Sequence, residues 1–183
     1  MKILAIGDSW SSAICATPQG ELNAHGWPQL LGTICTTTGV PGSTVSEWMN
    51  NFGNRLAAAK QFNADVLIMS LLGNDAMNLS KKGLPIDWAT EQINLAKIIN
   101  IVKKPRTIVL TYADPFNGSN PNALALLTQI NQTIRNAVAT VQGAEIFETS
   151  TVLTPDMFLP PDMHPNIKGH IALAAHFKTM LGI

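Results

Sequence analysis

Four short polar clusters carry the residues of this chain that could do chemistry: Gly7-Asp8-Ser9, Gly39-Val40-Pro41-Gly42, Gly73-Asn74-Asp75 and Asp162-Met163-His164-Pro165. The first follows directly on an apolar run, Ile3 to Ile6, which reads as a buried strand feeding a sharp turn. A hydroxyl on that turn stands at the carboxyl end of its strand, where parallel sheets place their ligands, and a nucleophile fits there. The same residues also make a common helix start, with Asp8 or Ser9 capping free backbone N–H groups. What separates the two readings is whether partners for Ser9 arrive from elsewhere in the chain.

The elements between the clusters must bring them together. Val66 to Leu72 is the most apolar run and predicts a central strand buried on both faces, ending at Gly73. Thr36 to Val40, Thr107 to Tyr112 and Ala144 to Phe147 read as further strands. Ser11 to Ala24 is small, polar and broken by Pro18 and Gly20, which predicts a helical turn and then a loop. Helical spacing recurs at Trp27, Leu30, Leu31 and Ile34, and again from Val45, with Ser43 or Thr44 as cap. It returns at Ile86, Ala89, Ile93, Ala96 and Ile99, and at Leu124, Leu127, Ile130, Ile134, Val138 and Val141. The last stripe is Ile167, Ile171, Ala174, Phe177 and Leu181. Strand and helix alternate five times, which argues for a parallel sheet covered by helices on both faces. In such a sheet all strand ends open on one side, so the four clusters can converge.

The 183 residues suit one domain spanning 1–183, and no linker-like stretch divides them. At 46% hydrophobic residues a core can form without disulfides or metal. Twelve basic residues balance twelve acidic ones, which speaks against a nucleic-acid partner and for neutral or small substrates. Cys15 and Cys35 lack metal-ligand spacing and read as buried thiols. The short apolar run before Asp8 is neither a signal peptide nor a spanning helix. A soluble protein, cytoplasmic by default, is expected, with export by another route or a removed leader as alternatives.

In order and placement, the four clusters resemble those of the SGNH hydrolase family, also called GDSL esterases and lipases. The likeness runs over nearly the whole chain, with Pro165-Asn166 and Gly169-His170 extending the last cluster. It implies a three-layer α/β/α sandwich with a five-stranded parallel sheet in the flavodoxin-like order 2-1-3-4-5. It also implies a serine esterase that forms an acyl-enzyme on Ser9, with His164 as base. Serine is a poor nucleophile until a base takes its proton, and imidazole suits that task near neutral pH. The donors for the oxyanion would be the Ser9 N–H, the Gly42 N–H and the Asn74 side-chain amide, with Gly39 ranked behind Gly42. No metal and no cofactor is implied.

One departure from the family matters. The usual acid lies three residues before the histidine, where this chain has Pro161, and the nearest acid, Asp162, lies two before it. Asp162 can still face Nδ1 of His164, because residues two apart point the same way in an extended segment. The Pro161 carbonyl, or a remote Asp156 or Asp114, are the alternatives. Trp10 and Tyr112 are expected at the substrate pocket, with Trp88 a further candidate. His170 reads as a brace, His176 as solvated, and Asp8 as a binder of backbone. The crevice is expected to be open and shallow, suited to short acyl groups such as acetyl. A thioesterase or carbohydrate O-deacetylase using the same residues, or a non-catalytic binding module on the same fold, are the rival readings.

Overall fold

The computed structural model describes residues 1–12, 14–15, 24–159 and 163–183. The elements in chain order are β1 (Ile3–Gly7), β2 (Ile14–Cys15), β3 (Ala24–His25), α1 (Trp27–Leu30), β4 (Cys35–Thr37), α2 (Val45–Asn50) and α3 (Gly53–Gln61). They continue with β5 (Val66–Ser70), α4 (Gly73–Lys81), α5 (Trp88–Val102), β6 (Arg106–Leu110), α6 (Pro121–Ala139), β7 (Ala144–Phe147) and α7 (Ile167–Leu181). Five strands form one parallel sheet in the order β4-β1-β5-β6-β7, the 2-1-3-4-5 arrangement expected from the sequence. Every residue of β1 and β5 is buried, as two-sided cover by helices requires. Helices α1 and α7 pack on each other, while α2, α3, α5 and α6 form a second group, giving the α/β/α layers.

Two glycines with positive φ shape the sheet's carboxyl edge. Gly7 ends β1 at φ +129°, and a Cβ there would lie 1.8 Å from the Ser70 carbonyl oxygen of β5. Gly42 sits at φ +77° after Pro41, in a turn closed by the Ser43 N–H on the Val40 carbonyl at 3.0 Å. The turn leads into α2, whose first turn is held by a reciprocal capping box between Thr44 and Glu47.

Several local expectations need correction. The segment after Ser9 begins with a 3₁₀ turn, Ser9–Ser11, as expected, but β2 and β3 pair as a small antiparallel sheet within the stretch expected as a loop, of which residues 13 and 16–23 lie outside the described ones. The helix starting near Val45 is two helices, broken at Asn51 and Phe52. Helix α4 was not anticipated; Gly73, Asn74 and Asp75, the polar cluster that ends the run from Val66, form its first turn. In α5 the buried face is Leu95, Ile98, Ile99 and Val102, and Ile93 is 54% exposed. In α7 Ile167 and Ile171 face solvent while His170 is buried. Both helices carry apolar residues around most of their circumference, so more than one stripe fits the helical period.

Cys35 is a half-buried free thiol, pushed up to about 12 by burial. Of the Cys15 side chain nothing is described. Among the described residues no helix is long and apolar enough to cross a membrane.

Candidate active site

Ser9 projects from the turn after β1, and its Oγ lies 2.7 Å from Nε2 of His164, 155 residues further along the chain. The turn is held from several sides. The Asp8 N–H donates to the Ser70 carbonyl at 2.9 Å, and Ser12 Oγ donates to the Ser9 carbonyl at 3.0 Å. Trp27 Nε1 donates to the Trp10 carbonyl at 2.6 Å. Asp8 Oδ1 accepts the Trp10 N–H at 3.0 Å and Ser70 Oγ at 2.7 Å, and Oδ2 accepts the Tyr112 hydroxyl at 2.5 Å. Asp8 therefore binds side chains as well as backbone. Burial pushes its carboxyl up, opposed by the bonds from Tyr112, Ser70 and Trp10 and by attraction to His164. Burial and the neighbouring Asp8 likewise lift the Tyr112 phenol well above its ordinary range.

His164 is positioned by the segment between β7 and α7. Phe158 and Pro165 form an antiparallel bridge, and the Leu159 N–H donates to the His164 carbonyl at 3.0 Å. Asn166 caps α7 through the Gly169 N–H at 3.1 Å, while its Nδ2 donates to the carbonyls of Asp156 and Phe158 at 2.9 and 3.1 Å. One asparagine thus starts the helix and anchors the loop that carries the imidazole.

Of the candidates for orienting His164, Pro161 and Asp162 lie outside the described residues. The remote acids are engaged elsewhere. Asp156 pairs with Lys168 and accepts from Thr154, and Asp114 accepts the N–H groups of Phe116 and Gly118.

The side chain of Asn74 enters the same crevice from the first turn of α4, and Nδ2 donates to the Ser43 carbonyl at 3.0 Å. An amide nitrogen carries two hydrogens, so one donor remains. Gly39 packs against the backbone of Ser11 and directs its N–H to Thr37 Oγ1 at 3.1 Å, whereas the exposed Gly42 makes no such bond among the described residues. Neither glycine is part of the crevice lining itself.

Trp10 and Tyr112 both line the crevice, edge to face with centroids 4.9 Å apart, and both are almost fully buried. The Tyr112 hydroxyl also accepts the Gly73 N–H at 3.3 Å, so it joins the Ser9 turn to the helix carrying Asn74. Trp88 packs against the core at the start of α5 and does not line the crevice. His170 accepts the Trp27 N–H on Nδ1 at 3.2 Å, which ties α7 to α1, and desolvation together with repulsion from His164 brings it down to about 4. His176 is not simply solvated: it stacks on Phe147 with centroids 4.8 Å apart.

Sequence reasoning missed Met77, Asn78 and Lys81, which with Asn74 form one face of α4 toward the crevice, and also Ile130 and Met163. The spacing 74, 77, 78, 81 is the helical signal that could have found the first three. Among the described residues no group of three His, Cys, Asp or Glu side chains is placed to hold a metal.

Asp75, next to Asn74, accepts the Val45 N–H on both carboxylate oxygens, at 2.9 and 3.0 Å, and so fixes the loop bearing Gly42. Burial pushes its carboxyl from 3.8 up to about 7; the Val45 bond opposes the shift and the charge of Glu91 adds to it. Between those values the folded state holds a proton that the unfolded state has lost. This contribution to stability is therefore complete below about pH 4 and is lost as pH rises towards about 7. Asp75→Asn is expected to reduce the decline of stability across that range in urea unfolding. Asp8 and Glu91, also raised by burial, slope the same way and leave a remainder. An unchanged slope would assign the effect to other groups.

A serine and an imidazole meeting at the carboxyl edge of a parallel sheet of order 2-1-3-4-5 fit the SGNH class of hydrolases. The chain belongs to the GDSL-like lipase/acylhydrolase family, whose profile matches residues 5–172, and is an ester hydrolase of that type. No curated protein sequence matches it.

Solved structures show the same fold. Two are catalytic mutants of Axe2, an acetylxylan esterase from Geobacillus stearothermophilus. One is a serine-to-alanine change (17% identity, 100% of this chain and 94% of that one, TM-score 0.75). The other is a histidine-to-alanine change (18% identity, the same coverages, TM-score 0.73). A third is LAE5, an alpha/beta hydrolase enzyme from the metagenome of Lake Arreo, Spain (21% identity, 99% of this chain and 94% of that one, TM-score 0.73).

Proposed function

We propose that the protein hydrolyses carboxylic esters through an acyl-enzyme on Ser9, with His164 as general base and then general acid. Ser9 Oγ attacks the ester carbonyl as His164 Nε2 takes its proton. The C–O bond to the alcohol then breaks as the imidazolium returns that proton to the leaving oxygen. Water, deprotonated by the same nitrogen, releases the acid. The negative oxygen formed in each half is met by the N–H groups of Ser9 and Gly42 and the second amide hydrogen of Asn74. The observation that carries the reading is the 2.7 Å contact between Ser9 Oγ and His164 Nε2. The serine and histidine mutants of Axe2, both described as catalytic, support it.

The crevice at Ser9 holds about 110 Å³, bounded by Trp10, Gly73 and Tyr112, which supports a short acyl group such as acetyl. Asp162 is proposed to orient His164 through Nδ1. Carbohydrate O-deacetylation is the second reading, favoured by the likeness to an acetylxylan esterase.

A fluorophosphonate probe tests the assignment. It is expected to label wild-type protein on Ser9, and at a rate at least about a hundredfold lower in His164→Ala. Slow labelling in Asp162→Asn supports the acid, whereas an unchanged rate moves the orienting role to the Pro161 carbonyl. Absence of a Ser9 adduct would favour a binding module that keeps the fold without the reactivity.

A further inference from the structure

Beside the crevice lies a larger, apolar cavity of about 420 Å³, walled by Met77, Phe116, Leu126, Leu127, Ile130 and Met163. The two spaces share Met77, Lys81, Ile130 and Met163, so a molecule bound at Ser9 can extend from one into the other. Resting on the esterase reading above, we propose that this cavity receives the alcohol half of the ester. The preferred substrates are then short-chain acyl esters of an apolar, aliphatic or aromatic alcohol.

Three observations carry this. The space at Ser9 is small, about 110 Å³ against the roughly 300–1,000 Å³ of pockets that enclose a drug-sized ligand, so the acyl group seated there is short. Met163, part of the shared wall, directly precedes His164, which lines the crevice and whose Nε2 must reach the leaving oxygen, so the departing alcohol is assigned to the cavity. The lining offers little to a sugar. Asn120 Oδ1 is engaged by the Ala123 N–H at 3.1 Å as the cap of α6, which leaves the Asn120 amide N–H groups and the exposed Lys81 as polar donors on an otherwise apolar wall. Sugar hydroxyls placed among methionine, leucine and phenylalanine would lose water without gaining partners. An alkyl or aryl group loses nothing there and gains burial.

Two substrate series test the proposal on the intact protein. Acetate esters of ethanol, butanol, hexanol and octanol are expected to show kcat/KM rising by up to about fourfold per methylene, as burial of each CH₂ predicts. Ethyl esters of acetic, butyric, hexanoic and octanoic acid are expected to fall. Ala123 lines the cavity away from the crevice, and Ala123→Trp is expected to bring the ratio of octyl to ethyl acetate towards one. Because the readout is a ratio on one preparation, a general loss of activity does not mimic the result.

A rise along the acid series with a flat alcohol series would overturn the proposal by placing the acyl chain in the cavity. Flat behaviour in both, or faster deacetylation of acetylated xylan than of octyl acetate, would overturn it as well. These failures leave Ser9 labelling by fluorophosphonate intact, whereas absence of labelling removes the esterase reading itself.

Discussion

Ser9→Ala is expected to lower kcat for p-nitrophenyl acetate by about 10⁴- to 10⁶-fold, with the thermal midpoint nearly unchanged. The substitution removes one oxygen, which is bonded to His164 Nε2, and leaves the turn's backbone bonds in place. His164→Ala is expected to fall into the same range. The double variant should be no slower than either single one, because a nucleophile and its base act as one unit and their losses do not add. Additive losses would mean that the two residues serve separate steps.

Asn74→Ala is the second large effect, an expected fall in kcat of about 10²- to 10³-fold with KM little altered. A donor aimed at the developing oxyanion acts on the transition state more than on bound ester, so the loss belongs in kcat. Asn74 also holds the Ser43 carbonyl, and a purely structural role would give a different pattern. Loosening of the loop bearing Gly42 would raise KM and lower the thermal midpoint along with kcat. Steady-state kinetics beside a melting curve separates the two.

The strands were the most legible part of the sequence. Ile3 to Ile6 and Val66 to Met69 are apolar on every residue, and they lie in the fully buried strands β1 and β5. Ser9, Asn74 and His164 stood out because each sits in a polar cluster after a strand or before a helix. Helix α4 was hidden by its own first turn: glycine, asparagine and aspartate are weak helix formers, yet here they are the residues that face the site and hold Val45.

The support for Ser9 was hidden for another reason. Tyr112 and Asp8 are 104 residues apart, and neither hydrophobic period nor turn chemistry relates them; only the adjacency of β1, β5 and β6 brings them together. Buried His170 was similarly masked, since a stripe through Ile167 and Ile171 fits the helical period of α7 equally well. The apolar cavity needed α4 and α6 side by side, which no stretch of sequence states.

The most direct test is to quench the wild-type protein with acid while it turns over p-nitrophenyl acetate, and to map the acetyl group by peptide mass. A pre-steady-state burst of nitrophenol near one equivalent is expected, with the acetyl group on the peptide bearing Ser9. No burst and no acyl peptide in an enzyme that is turning over, or an acetyl group on another residue, would contradict it.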